Sequence, residues 1–226
     1  MRSARRPLVA ASVLLAASAH ADAEWTKVHE RNGVVVAVRP RAGSRLNELR
    51  AFGEVNAPPE RVRAVIADME RYPEFMPPTS MVRLLQRAGD SFLYYMEINP
   101  PVVARRDYCL RVVWNTLPGG GWHAAWQADN QSCLAERRGV VRMHDNEGEW
   151  ILEPIAGGQR TYLRYRCHLD VAGHVPAWLF NRVSASAIPK VFAAVARSVH
   201  DPRYTKTQPE PTPADRPAPM DLSVQD

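Results

Sequence analysis

The sequence predicts an α+β domain in which a curved antiparallel sheet wraps round a long C-terminal helix. Three observations carry this. Short runs with strand-like character recur from residue 33 to residue 170, with turn residues between them. One segment near residue 60 breaks that pattern with a helical period. A second helical segment, residues 175–200, is long and apolar along one line. A sheet and a helix that each carry one apolar face must bury those faces against each other.

The elements follow in order. "GVVVAVRP" (33–40) and "NELRAFGEV" (47–55) read as strands. In "APPERVRAVIADMERYPEF", Val62, Val65, Ile66 and Met69 fall at i, i+3, i+4 and i+7, one helix face. Pro58 and Pro59 suit the first turn of that helix, and Pro73 closes it. "SMVRLLQR" and "SFLYYMEI" flank the turn Ala88-Gly89-Asp90. "RDYCLRVVW" and "WHAAWQAD" flank Gly119-Gly120-Gly121, and "RRGVVRMH" and "GEWILEP" flank Asp145-Asn146-Glu147. In "TYLRYRCHLD", Leu163, Tyr165, Cys167 and Leu169 share one face and Arg164, Arg166 and His168 the other. In the last helix Leu179, Val183, Ala187, Val191, Val195 and Val199 form an i+4 line. Pro189 lies inside it and is expected to bend or break it near residue 188.

The ends differ from the middle. Arg2, Arg5 and Arg6 precede an apolar run, Leu8 to Ala19, and then Ala19-His20-Ala21. This reads as a signal peptide over 1–21, cut after Ala21, and points to the periplasm or secretion. The run has 12 residues, short of the roughly 20 that span a bilayer; an uncleaved anchor is the alternative. Residues 205–226 are rich in Pro and poor in large apolar groups, so they are expected to be a disordered tail. The domain itself is placed at 22–204. The net charge of +5 falls to about +2 without the three Arg of the signal, and no basic stripe with interleaved aromatics suggests nucleic acid.

Reactive constellations are hard to find. The histidines form no HxxxH or HxH pair, and His144-Asp145 reads as a surface turn, so no metal is expected. There is no GxSxG elbow and no Gly-rich phosphate loop. Glu149 and Glu153 alternate with Trp150 and Leu152 as the outer face of a strand would. Cys109, Cys133 and Cys167 form no CxxC pair. Cys109 and Cys167 lie in strand-like runs and are expected to be small buried apolar groups rather than partners in a required disulfide. What remains is "VARRDYCLRVVW". Alternation puts Arg106, Tyr108, Leu110, Val112 and Trp114 on one face, so a cation heads an apolar row. Either a polar end of a cavity or an ion pair that pins the strand would explain it.

The sequence resembles the START domain, the lipid-transfer module related to the steroidogenic acute regulatory protein, over residues 24–200. The resemblance rests on "EWTKVHERNGVVVAVRP", "ELRAFGEVNAPPERVRAVIADMERYPEFMP", the Arg-Asp pair of "VARRDYCLRVVW", and "GEWILEPIAGGQRTYLRYRCHLDVAGHVPAWLFN" in that order. It implies a helix-grip fold with an internal apolar cavity holding one lipid, without catalysis or cofactor. Arg106, Tyr108, Leu110, Val112, Trp114, Leu163, Tyr165, Val183, Ala187 and Val191 are the expected lining. A monomer that meets membrane surfaces transiently is expected, and the gate is expected at Ala185–Pro189, where small residues pack lightly and Pro189 interrupts the hydrogen-bond ladder. One departure stands out. Sterol-binding members can carry a second cavity Arg six residues after the first, and here that position is Val112, so an acyl chain suits the cavity as well as a sterol. Two rivals stay open: an enzyme of the same superfamily, such as a polyketide cyclase, and an interaction module without lipid.

Overall fold

A computed structural model describes residues 24–100, 103–173 and 175–205. The expected signal segment and almost all of the expected tail lie outside these residues. The described elements are β1 (Thr26–Arg31), β2 (Val34–Arg39), β3 (Glu48–Val55), α1 (Pro59–Ala67), α2 (Tyr72–Phe75), β4 (Thr79–Ala88), β5 (Ser91–Ile98) and β6 (Arg106–Leu117). They continue with β7 (Gly121–Ala128), β8 (Val141–Arg142), β9 (Asp145–Ile155), β10 (Arg160–Asp170), α3 (Ala177–Ser198) and α4 (Pro202–Thr205).

All ten strands join one sheet in the order β1-β2-β3-β10-β9-β7-β6-β5-β4. Every pair along that path is antiparallel, and the two-residue β8 is attached parallel to the start of β6. The closing contact β3·β10 joins early and late chain, which is what bends a meander into a wrap. The sheet curves round α3, which packs on β1, β2 and β3, while α1 covers β7, β9 and β10 near one end. The expected fold is present: an antiparallel sheet gripping a C-terminal helix.

Four features depart from the sequence reading. First, β1 carries no apolar alternation, and its side chains are mostly exposed. Its ladder to β2 holds it, and the preceding Trp25 ring lies between the Arg39 and Arg50 guanidinium groups, 4.6 and 4.5 Å from its centroid. Second, "RRGVVRMH" is a strand only at Val141–Arg142. The residues before it loop over the outer face of β5 and β6, where a ladder has no free edge to join. Third, α3 runs unbroken through Pro189. An interior Pro costs about 3 kcal/mol. Burial of neighbouring Ile188 and Phe192, about 1.5–3 kcal/mol each, offsets it.

Fourth, Cys109 is bonded to Cys133. Burial of Cys109 is as expected, but its reading as a merely apolar group is corrected. The chain after β7 is drawn back over β6 by local bonds: Asp129 N–H donates to Cys109 O at 2.9 Å, and Asn130 Oδ1 accepts from Cys109 N–H at 3.4 Å. That fold-back sets the two Cα atoms 5.5 Å apart, a distance suited to a disulfide. Cys167 is the buried free thiol, as expected.

The core is double. The concave side holds the large cluster shared by the sheet, α1 and α3. On the convex side Leu93, Tyr95 and Cys109 form a small second cluster under the disulfide loop, with Leu85 and Cys133 against it. This explains why β5 is apolar on both faces.

Candidate functional site

The concave face does not fill completely. Between sheet and α3 lies a cavity of about 300 Å³ with overwhelmingly apolar walls. Its floor is aromatic. Trp150 contacts Tyr165 at 4.4 Å between ring centroids and Phe192 at 5.7 Å, and Trp126 stacks on Tyr165 at 5.7 Å. Gly148 allows this arrangement. A Cβ there would sit 2.4 Å from the Trp126 ring and 2.3 Å from Arg166 O, so the indole lies on bare backbone. One side of the cavity is bounded by Met76, Pro77 and Pro78, by Pro100 and Val103, and by Val175, Leu179 and Val183 from the start of α3.

Arg106 and Asp107 divide at the start of β6. Asp107 points to the convex side and is almost fully buried. Arg142 donates to it through Nε at 2.8 Å and Nη2 at 3.2 Å, and Tyr95 Oη donates at 3.1 Å. Burial alone would raise the Asp107 pKa, but Arg142 outweighs it and holds the carboxyl below its ordinary range. A second shell of charge surrounds the pair: Glu97 takes Arg137 and Arg105, and Arg137 donates to Tyr95 Oη at 2.6 Å. The ion pair that pins the strand is therefore Asp107–Arg142.

Arg106 points the other way, into the cavity wall. Its side chain donates to backbone carbonyls, Nε to Val171 O at 2.9 Å and Nη1 to Ala104 O at 2.5 Å. Burial lowers its pKa from the ordinary arginine value, though a guanidinium keeps its proton in proteins. The other polar groups on the wall include Tyr108, Tyr165, Cys167 and Asn146. Burial raises both tyrosines, and it pushes the Cys167 thiol up to about 12. Asn146 accepts the Trp126 indole N–H at 3.0 Å.

Of the ten expected lining residues, nine reach the cavity: Arg106, Tyr108, Leu110, Val112, Trp114, Tyr165, Val183, Ala187 and Val191. Leu163 does not, and is corrected to core. It is fully buried, paired with Leu152 and Gly53 at the end of β10 that α1 covers. Thr161, two residues earlier, donates to Ala57 O at 2.7 Å and closes that end against α1. Sharing a strand face was a sound argument for facing inward, but α1 occupies the space there.

Sequence reasoning missed Trp126, Met143 and Asn146. Asn146 had a signal. Trp150 and Leu152 were placed inward, and stepping back along β9 by twos reaches Gly148 and Asn146. Met143 had none, because its position depends on the loop tied by the disulfide. The three β9 glutamates of the outer face are engaged: Glu149 with Arg166 (2.7 Å) and His123 (3.0 Å), Glu153 with Arg164 (2.8 Å) and Glu147 with Arg41.

A family model described as polyketide cyclase / dehydrase and lipid transport matches residues 55–196. The chain belongs to this family. The description spans both chemistry and carriage. Among solved structures, a STAR-related lipid transfer protein fragment from Xanthomonas axonopodis superposes with a TM-score of 0.71 at 24% identity, covering 77% of this chain and 98% of that one. Human STARD10 gives 0.71 at 19% identity, covering 82% and 77%. These likenesses show the START helix-grip fold. Human StAR-related lipid transfer protein 13 is 24% identical over 153 residues, 66% of this chain and 14% of the relative. The chain thus spans about a seventh of the length of that curated relative.

Proposed function

We propose that the protein binds one lipid in this cavity and carries it between membrane surfaces without changing it chemically. The observation that carries this is the cavity itself: a concave space with apolar walls between the sheet and α3. Each ligand methylene buried there contributes about 0.8 kcal/mol. The starting half of α3 is the loose half. Its residues are half-buried or exposed, with Trp178 69% exposed, whereas Ile188, Phe192, Ala194 and Val195 anchor the rest. The gate then lies in Ala185–Pro189, where tight packing begins. The acid-free stretch 171–200 with Arg182 and Lys190 suits transient contact with anionic head groups.

The groups in the wall favour carriage over catalysis. A thiol pushed up to about 12 is a poor nucleophile near neutral pH, and tyrosines raised by burial are poor bases. The Cys109–Cys133 bond supports the reading of the first 21 residues as a signal to an oxidising compartment. The test is native mass spectrometry of the protein with its co-purified lipids, followed by transfer between donor and acceptor vesicles. A one-to-one lipid adduct and protein-dependent transfer are expected. A lipid-free mass together with no uptake from mixed vesicles would overturn the proposal.

A further inference from the structure

We infer that the ligand is a single-chain amphiphile with a carboxylate head, and that Arg106 and Asn146 hold the head. This rests on the lipid-binding reading above and names its ligand class.

The first support is charge. Arg106 is 3% exposed, and no carboxylate of the described residues lies within ion-pair distance of it. Its neighbour Asp107 is committed to Arg142 on the opposite face of the sheet. Two of its five N–H donors are used on Val171 O and Ala104 O. A buried charge left in this way is costly, and an anion arriving in the cavity removes the cost. Among the described residues lining the cavity Arg106 is the sole Lys, Arg or His.

The second support is Asn146. An indole N–H can only donate, so the atom that Trp126 meets at 3.0 Å must be the amide oxygen. The Asn146 NH₂ is then a donor, and no acceptor among the described residues takes it. Arg106 starts β6 and donates to the residue after the end of β10, while Asn146 is the second residue of β9 and pairs with Leu169 near that same end. Both sets of donors therefore stand at one end of the sheet, with the Tyr108 hydroxyl one inward-facing position further in. That end offers donors and one positive charge, and asks for an acceptor-only head carrying one negative charge. A phosphate monoester carries about −1.5 to −2 and would bury excess charge.

The third support is size. A cavity of about 300 Å³ lies at the small end of the roughly 300–1,000 Å³ range of small-ligand sites, which suits one chain better than two.

The test compares heads on one tail. Delipidated protein with its disulfide intact is titrated calorimetrically with decanoate, methyl decanoate, decanol and decyl phosphate, and then with a two-chain phosphatidylglycerol vesicle. Decanoate is expected to bind about 10- to 100-fold tighter than its ester or alcohol, the range for a hydrogen bond to a charged group. Arg106→Gln is expected to reduce that preference to about threefold or less, and Asn146→Leu to reduce it partly. The wild-type series decides the matter even if a variant fails to fold. Equal affinity for acid, ester and alcohol would overturn the head-group assignment and leave lipid binding standing. Tighter decyl phosphate, or a two-chain lipid extracted one-to-one, would overturn the carboxylate and the single chain respectively. Failure of the folded protein to bind any of them would overturn both readings.

Discussion

Arg106 and Asp107 are consecutive, yet strand alternation sends one to the cavity and the other to the convex side. That single fact gives two adjacent residues of opposite charge different tasks. Asp107 is structural. Its partner Arg142 is 7% exposed at the side chain and Asp107 itself 1%. Asp107→Asn would leave a buried guanidinium without its anion, and loss of one partner of such a pair costs about 3–5 kcal/mol. A matching fall in the urea midpoint at unchanged slope is expected; a change under 1 kcal/mol would sink the assignment. Gly148→Ala tests the floor of the cavity instead. Its methyl would overlap the Trp126 ring and Arg166 O, so Trp126 must swing away and release Asn146, and the β9 and β10 backbones must shift apart. Loss of ligand affinity of at least tenfold together with a clear loss of stability is expected, read by calorimetry and thermal unfolding side by side. The inward face of β6 was legible in the sequence because alternation alone decides it. The partner of Asp107 was not, because Arg142 lies 35 residues on in a loop whose path no local pattern describes.

At the scale of elements, the loop between β7 and β9 and the helix α3 behave differently. The loop is fastened by the disulfide, by Asp107–Arg142 and by Asn130 Nδ2 donating to Met143 O at 2.7 Å. Because Met143 lines the cavity, this fastening on the convex side fixes part of the concave wall. The disulfide closes a span of 24 residues, which corresponds to about 3 kcal/mol of stabilisation. Cys109→Ala/Cys133→Ala is expected to lose that amount by urea denaturation and to speed hydrogen exchange selectively over 129–143. Uniform exchange across the domain would argue against a local clamp. In α3, Pro189 removes one rung of the ladder at the point where tight packing gives way to loose packing. Pro189→Ala restores the rung and is expected to slow ligand exchange several-fold in stopped-flow release, while an unchanged rate would sink the gate. The sequence showed the helix, its apolar line and the position of Pro189. It overstated the kink, because burial of Ile188 and Phe192 outweighs a local preference. It missed β1, whose polar residues show no apolar alternation and which is held mainly by its backbone ladder to β2.

Across the whole molecule the charges are arranged to leave the concave side nearly free of them. Glu48 accepts from Arg39 at 2.6 Å and from Arg166 at 2.8 Å, Arg166 reaches on to Glu149, and Glu149 meets His123. This ladder binds β2, β3, β10, β9 and β7 side by side across the convex face. Burial opposes ionisation of Glu48 and Glu149, but the arginines prevail and depress both, as Arg142 does for Asp107 and Arg111 for Asp129. The sign of the consequence is fixed. Carboxyls whose folded pKa lies below the unfolded one contribute stability that is present above the unfolded value and is lost as pH falls through the folded value. Stability is therefore expected to be level above about pH 5 and to drop steeply below about pH 4. Urea midpoints measured from pH 3 to pH 8 check it. Glu48→Gln should flatten the acid limb in part, since Glu48 serves two arginines at once. A midpoint that instead rose on acidification would mean that the ladder is a cost to the fold, and that the apolar contacts round the cavity hold the sheet closed by themselves.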